Sequence, residues 1–148
     1  MKRFAENVLE SPETKQFINF YNTQALKWLL PLHEPYPPSE YEALSAMYDA
    51  EVAYQDHLLQ QFLALLSTDY HKENTMVIIV SDHGEMLGEH QIMGHGLGVY
   101  QELVHVPMII REPGQTQQNI SSETVSTKNV YQMVLSTAGV VLVERTYL

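Results

Sequence analysis

Cysteine is absent from the 148 residues. That excludes a disulfide framework, thiolate zinc sites and a cysteine nucleophile within this chain. Basic residues are scarce, 8 Lys+Arg against 18 Asp+Glu, for a net charge of -10. Affinity for a phosphate backbone needs a basic face, so nucleic acid is excluded as a general partner. No apolar run approaches the roughly 20 residues of a membrane span, which argues against a membrane partner. The opening MKRFAENVLES has two basic residues but no apolar h-region, so it does not read as a signal peptide, and the expected compartment is the cytoplasm. Internal repeats and low-complexity tracts are missing too.

What is present suits one domain. Hydrophobic residues make up 45% and charged residues 18%, and a fold of this size can bury roughly 70% of its unfolded surface. Gln16 to Tyr21 (QFINFY) is short, apolar and aromatic, which predicts a buried strand. Pro35, Pro37 and Pro38 form a stiff extended connector. Ser39 is the expected N-cap of the clearest helix, Glu40 to Leu66. There Tyr41, Leu44, Tyr48, Val52, Leu59, Phe62 and Leu66 recur as one apolar stripe. Asp69 to Asn74 reads as a polar turn. Met76 to Val80 (MVIIV) has the continuous β-branched character of a strand covered on both faces. Ser81 to Gly98 is a polar, glycine- and histidine-rich loop, and Val106 to Ile110 a second buried strand. Lys128 to Ala138 has helical spacing, with Gly139 as its C-cap. This alternation predicts an α/β fold, a mainly parallel sheet flanked by helices. Ligands in such folds bind at the carboxyl ends of the strands.

The loop leaving Met76 to Val80 reads Ser81-Asp82-His83-Gly84-Glu85-Met86-Leu87-Gly88-Glu89-His90, then Gly94-His95-Gly96. An adjacent carboxylate and imidazole at a strand end can both face a divalent cation. Carboxylate suits Ca²⁺, Mg²⁺ or Mn²⁺, and imidazole extends the choice to Zn²⁺. Gly84 permits a sharp turn behind the ligands. Five of the seven histidines lie between His71 and His105. A surface loop of solvated histidines is the plain alternative.

The block from Val80 to His90, with Gly94-His95-Gly96, Tyr100-x-Glu102, Val106-Pro107-Met108-Ile109-Ile110-Arg111 and Pro113-Gly114, resembles the later half of a sulfatase catalytic domain. Flanking segments agree: Tyr48 to Asp56, Asn74-Thr75, Val125-Ser126, and Val130-Tyr131 through Gly139. The resemblance runs from about Phe17 to Val140. It implies a partial alkaline-phosphatase-like domain over residues 1–148. Asp82 and His83 then match metal ligands for Ca²⁺ or Mg²⁺ first, Mn²⁺ or Zn²⁺ next. His95 falls where the family contacts the anionic group of a small ester substrate and assists catalysis. Glu85, Glu89, Tyr100 and Glu102 fix the loop through hydrogen bonds, with His90 in support. Arg111, leaving a strand end, could bind an anion, but a structural ion pair is the expected role.

Departures from the family pattern matter as much. A sulfatase nucleophile comes from a Cys- or Ser-x-Pro-x-Arg motif, and neither this motif nor the early Asp-Asp metal pair is in the sequence. The family's mid-domain histidine falls on Gln24 if Phe17 to Phe20 is the matching strand. If Leu29-Leu30 is the strand, it falls on His33 of His33-x-Pro35-Tyr36, a substrate-binding candidate. The expectation is a sulfatase-like, metal-dependent hydrolase piece, inactive alone, which pairs with a missing N-terminal segment or self-associates. A truncated gene model or a split or decayed gene would give such a piece. The alternatives are a phosphodiester or phosphonate hydrolase or phosphoglycerol transferase relative, and a non-catalytic pseudoenzyme or interaction module.

Overall fold

The computed structural model describes residues 10–23 and 37–140. The chain forms two compact units. One contains Met1–Leu65 and His83–Val106, the other Leu66–Asp82 and Pro107–Leu148.

In the first unit, helix α1 (Pro12–Thr23) replaces the strand expected over Gln16 to Tyr21. Ser11 Oγ accepts the Thr14 N–H at 3.0 Å, and Pro12 sits at the first helical position, where no N–H is needed. Phe17 and Phe20, three apart, lie on one helical face. Phe17 is buried against Ala43, Leu44 and Met93, with Phe20 and Tyr41 packed on the cluster. Apolar residues over six positions fit a strand or a helix equally. Here the Ser-Pro start and the i,i+3 pair win. Gln24, Leu29, Leu30 and His33 lie outside the described residues.

Helix α2 (Pro38–Leu65) is the long helix expected. It begins one residue before Ser39: Pro38 takes the first helical position, and the Glu40 N–H bonds the Pro37 carbonyl at 2.9 Å. Its buried residues, Ala43, Leu44 and Ala50, lie in its N-terminal half. Farther along the stripe, Val52 and Phe62 are exposed. Strands β2 (Met86–Leu87) and β3 (Met93–Gly94) pair antiparallel around a 3₁₀ turn, Glu89–Gln91. Met86, Ile92 and Leu103 form a second apolar cluster, Leu103 coming from α4 (Gln101–Val104).

In the second unit, the expected polar turn is a short helix, α3 (Asp69–Asn74), capped by Thr68 Oγ1 on the His71 N–H at 3.4 Å. Strand β1 (Val77–Val80) pairs antiparallel with β4 (Met108–Arg111), Val77 opposite Arg111 and Val80 opposite Met108. The expected parallel sheet is therefore not what these strands make. Among the described residues every strand pairing is antiparallel, and this unit contains no buried side chain. A four-residue aliphatic run reads alike in either pairing, because strand direction is set by distant chain and not by local pattern. Helix α5 (Asn129–Thr137) closes as expected at Gly139. Gly139 has φ 72°, its N–H bonds Ser136 O, and the Val140 N–H reaches Leu135 O at 2.9 Å. Ile78, Val80, Val130 and Val134 line a cavity of about 500 Å³ within this unit. No described helix is long and apolar enough to cross a membrane.

Candidate functional site

The division between units falls inside the Asp-His pair: Asp82 ends a segment of the second unit and His83 begins one of the first. Both are exposed. Within the first unit the loop brings together His83, Glu85 and His95. Each offers one ligand atom, and these atoms all lie within 4.8 Å of one another. The His83 and His95 rings stack with centroids 4.3 Å apart at 28°.

Hydrogen bonds fix both imidazoles. His83 Nδ1 donates to the Gly84 carbonyl at 2.9 Å, and His95 Nδ1 donates to Glu85 Oε2 at 2.6 Å. A carbonyl and a carboxylate can only accept, so Nδ1 carries the hydrogen in each ring. In the neutral form the lone pair is then on Nε2, the tautomer that suits a metal ligand. Glu85, expected only to support the loop, thus joins the possible ligands.

The loop holds its shape through glycine and a strained turn. Gly84 is needed for close approach and not for a sharp bend. Its N–H bonds Leu103 O at 2.8 Å, and a Cβ there would fall on the Glu102 carbonyl. At Gly88, φ is 120° and the Tyr41 ring occupies the space of a Cβ. His90 has φ 55°, a left-handed conformation rare for a side-chain-bearing residue. Its ring stacks on Tyr100 at 4.2 Å, and Nε2 lies 3.7 Å from Glu102 Oε1. Glu89 Oε2 accepts the Leu87 N–H at 2.7 Å. Glu89 thus braces the loop by the expected hydrogen bond, whereas Tyr100 contributes a ring stack and Glu102 a contact longer than a hydrogen bond. Among the described residues Arg111 does not form its expected ion pair. Its Nε and Nη2 are shielded from solvent without a hydrogen-bond partner among the described residues.

A family model described as Sulfatase matches residues 2–140. The chain is 44% identical over 52 residues to a protein called Uncharacterized sulfatase YidJ in Escherichia coli (strain K12), covering 34% of this chain and 10% of that one. It is 34% identical over 104 residues to Arylsulfatase K of Bos taurus, covering 70% and 19%. Arylsulfatase of Clostridium perfringens is 36% identical over 69 residues, covering 47% and 14%. The chain thus spans only 10% to 19% of the length of these three relatives. No solved structure matches.

Proposed function

The chain belongs to the sulfatase family, and from that premise we propose that it supplies the later, cation- and anion-handling part of a sulfuric-ester hydrolase site. The observation that carries this reading is the convergence of His83, Glu85 and His95 in the loop that matches the family motif. In that cluster a neutral His83 offers Nε2 to a divalent cation, while Glu85 fixes the His95 ring beside it. Asp82 and His83 are the proposed metal ligands, for Ca²⁺ or Mg²⁺ first. Such ions take at least six ligands, so most of the shell comes from other groups and affinity in this chain is weak. When bound, the cation stabilises negative charge on an ester oxygen.

The chain's own residues do the rest. Glu85 holds the His95 ring through Nδ1, so Nε2 is the atom turned to a substrate. Protonated there, His95 balances charge on a sulfate or on the leaving oxygen. The covalent step needs an activated nucleophile. These 148 residues hold no cysteine and no Ser-x-Pro-x-Arg, so the chain alone is inactive.

Calorimetric titration with Ca²⁺, Mg²⁺ and Mn²⁺, beside an assay on 4-nitrophenyl sulfate and 4-nitrophenyl phosphate, tests the reading. Asp82→Ala and His83→Ala each weaken cation binding by about tenfold or more, in the range seen when metal shells are disturbed, and no variant turns over either ester. Ion binding indifferent to both substitutions would remove the cation role. Robust turnover that Asp82→Ala abolishes would mean that the chain holds a nucleophile after all.

A further inference from the structure

Strands β2 and β3 pair over two rungs, Met86 with Gly94 and Leu87 with Met93. Glu85 and His95 stand just past the Met86 rung, so their 2.6 Å bond extends the ladder by one position. The chain neighbours of His95 are Gly94 and Gly96. A slip of one residue in either direction therefore sets Glu85 against a glycine and leaves the imidazole without its carboxylate. Two rungs do not hold a hairpin by themselves, and the register of a hairpin is set by its turn. Here the turn is unfavourable. His90 and Gln91 have φ 55° and 60° in succession, a left-handed conformation that glycine adopts readily and these residues do not. Hydrogen bonds from Gln91 N–H to Gly88 O and from Ile92 N–H to Glu89 O close the turn on itself. Such a conformation persists only where the surroundings hold it.

The surroundings are α4 and the residue that precedes it. At the root of the hairpin, Gly84 N–H bonds Leu103 O at 2.8 Å. At its middle, Leu103 packs on Met86 and Ile92. At its tip, Tyr100 stacks on His90 with ring centroids 4.2 Å apart at 16°, and Glu102 Oε1 stands 3.7 Å from His90 Nε2. Tyr41 closes on Gly88 from α2. The Tyr100 ring also takes the space that a Cβ on Gly98 would need, 2.8 Å from its ring carbons, so the same ring touches the chain leaving His95. We propose that Tyr100 is a positioning residue for His95: its ring stabilises the left-handed His90, and that turn keeps the register in which Glu85 meets His95. The inference rests on the role given to His95 in the hydrolase reading, but it is read from the place of a proton and not from turnover.

Imidazole proton and nitrogen spectra of the full chain above pH 8 test it, with circular dichroism to confirm that each variant is folded. In the wild type His95 carries hydrogen on Nδ1 alone, and the carbon-bound protons of His90 resonate upfield of a free imidazole because they lie over the Tyr100 face. Tyr100→Leu keeps an apolar side chain but loses the stack. His95 then becomes a mixture of Nδ1–H and Nε2–H forms, while His83, whose Nδ1 is held by the adjacent Gly84 carbonyl, stays as it was. Tyr100→Phe keeps the ring and the single form. Adding His90→Gly to Tyr100→Leu relieves the left-handed turn and restores the single form. A single Nδ1–H form at His95 in folded Tyr100→Leu overturns the proposal. So does a mixture in Tyr100→Phe, a mixture that His90→Gly fails to reverse, or loss of the single form at His83 together with His95, which marks general loosening. If Tyr100→Leu does not fold, the wild-type His90 protons decide: upfield positions support the stack, and unshifted ones overturn the proposal. Cation titration and ester assays bear on the hydrolase reading alone; their failure would remove the role of His95 and leave its placement by Tyr100 intact.

Discussion

Replacing Gly84 by alanine tests how tightly the loop is held. The added methyl would fall on the Glu102 carbonyl, with the carbonyl carbon 3.1 Å away. The obstacle is backbone, which no rotamer change can clear. Clearing it breaks the Gly84–Leu103 hydrogen bond of 2.8 Å, for about 1 kcal/mol, and also shifts α4, with overpacking strain of about 1–3 kcal/mol. Lower entropy of the unfolded alanine chain returns about 0.4–1 kcal/mol. The net expectation is a loss of about 2–3 kcal/mol. Gly139→Ala is the comparison. Its φ is 72° but nothing lies within 4 Å of the new Cβ. The left-handed penalty of about 1–2 kcal/mol, less the same entropy return, leaves about 1 kcal/mol. Urea unfolding followed by far-ultraviolet circular dichroism reads both. At a slope of about 1.5 kcal/mol per molar, Gly84→Ala lowers the midpoint by about 1.3–2 M and Gly139→Ala by about 0.7 M. A midpoint for Gly84→Ala no lower than that of Gly139→Ala would refute the close-approach argument.

Other substitutions probe other levels of the structure. Phe17→Ala opens the cluster shared by α1 and α2 and lowers stability by about 3–5 kcal/mol, whereas Phe62→Ala, at a position 54% exposed, changes it by less than about 0.5 kcal/mol; urea midpoints separate them. Ser11→Ala removes the α1 cap and lowers stability by about 1 kcal/mol, visible in the same titration, and no change would argue against the cap. Long-range proton–nitrogen correlation spectra above pH 8 find hydrogen on Nδ1 of both His83 and His95. Glu85→Gln then loosens the preference at His95 and leaves His83 unchanged, and Nε2–H rings in the wild type would contradict the fixed tautomers.

Legibility in the sequence follows the length of the signal. Pro38–Leu65 was readable because seven apolar positions repeat over many turns, and Asn129–Thr137 because Gly139 marks its end. The helix at Pro12–Thr23 was missed because the six residues QFINFY carry too few repeats to set a period; the deciding Ser11-Pro12 start lies outside that window. The direction of the β1–β4 pairing was not legible at all, since neither VIIV nor MIIR encodes its neighbour. In the site, the histidines stood out by density. Glu85 did not, because a carboxylate in a loop is ordinary until its distance to an imidazole is known. The orphaned guanidinium of Arg111 is likewise a property of surroundings and not of residue type.

Neither unit is a continuous stretch of chain. The polypeptide leaves the first at Leu65, returns at His83 and leaves again after Val106. A protease nick between Leu65 and Leu66 therefore does not release a unit. It leaves Phe17, Ala43 and Leu44 on one fragment and Met93, their packing partner, on the other. Such a nicked chain runs as two bands in denaturant but keeps its native mass for as long as that cluster holds. The closure entropy of the returning segment grows only with the logarithm of its length. Lengthening the Leu66–Asp82 excursion is therefore tolerated far better than trimming at Val106, which deletes the whole of β4.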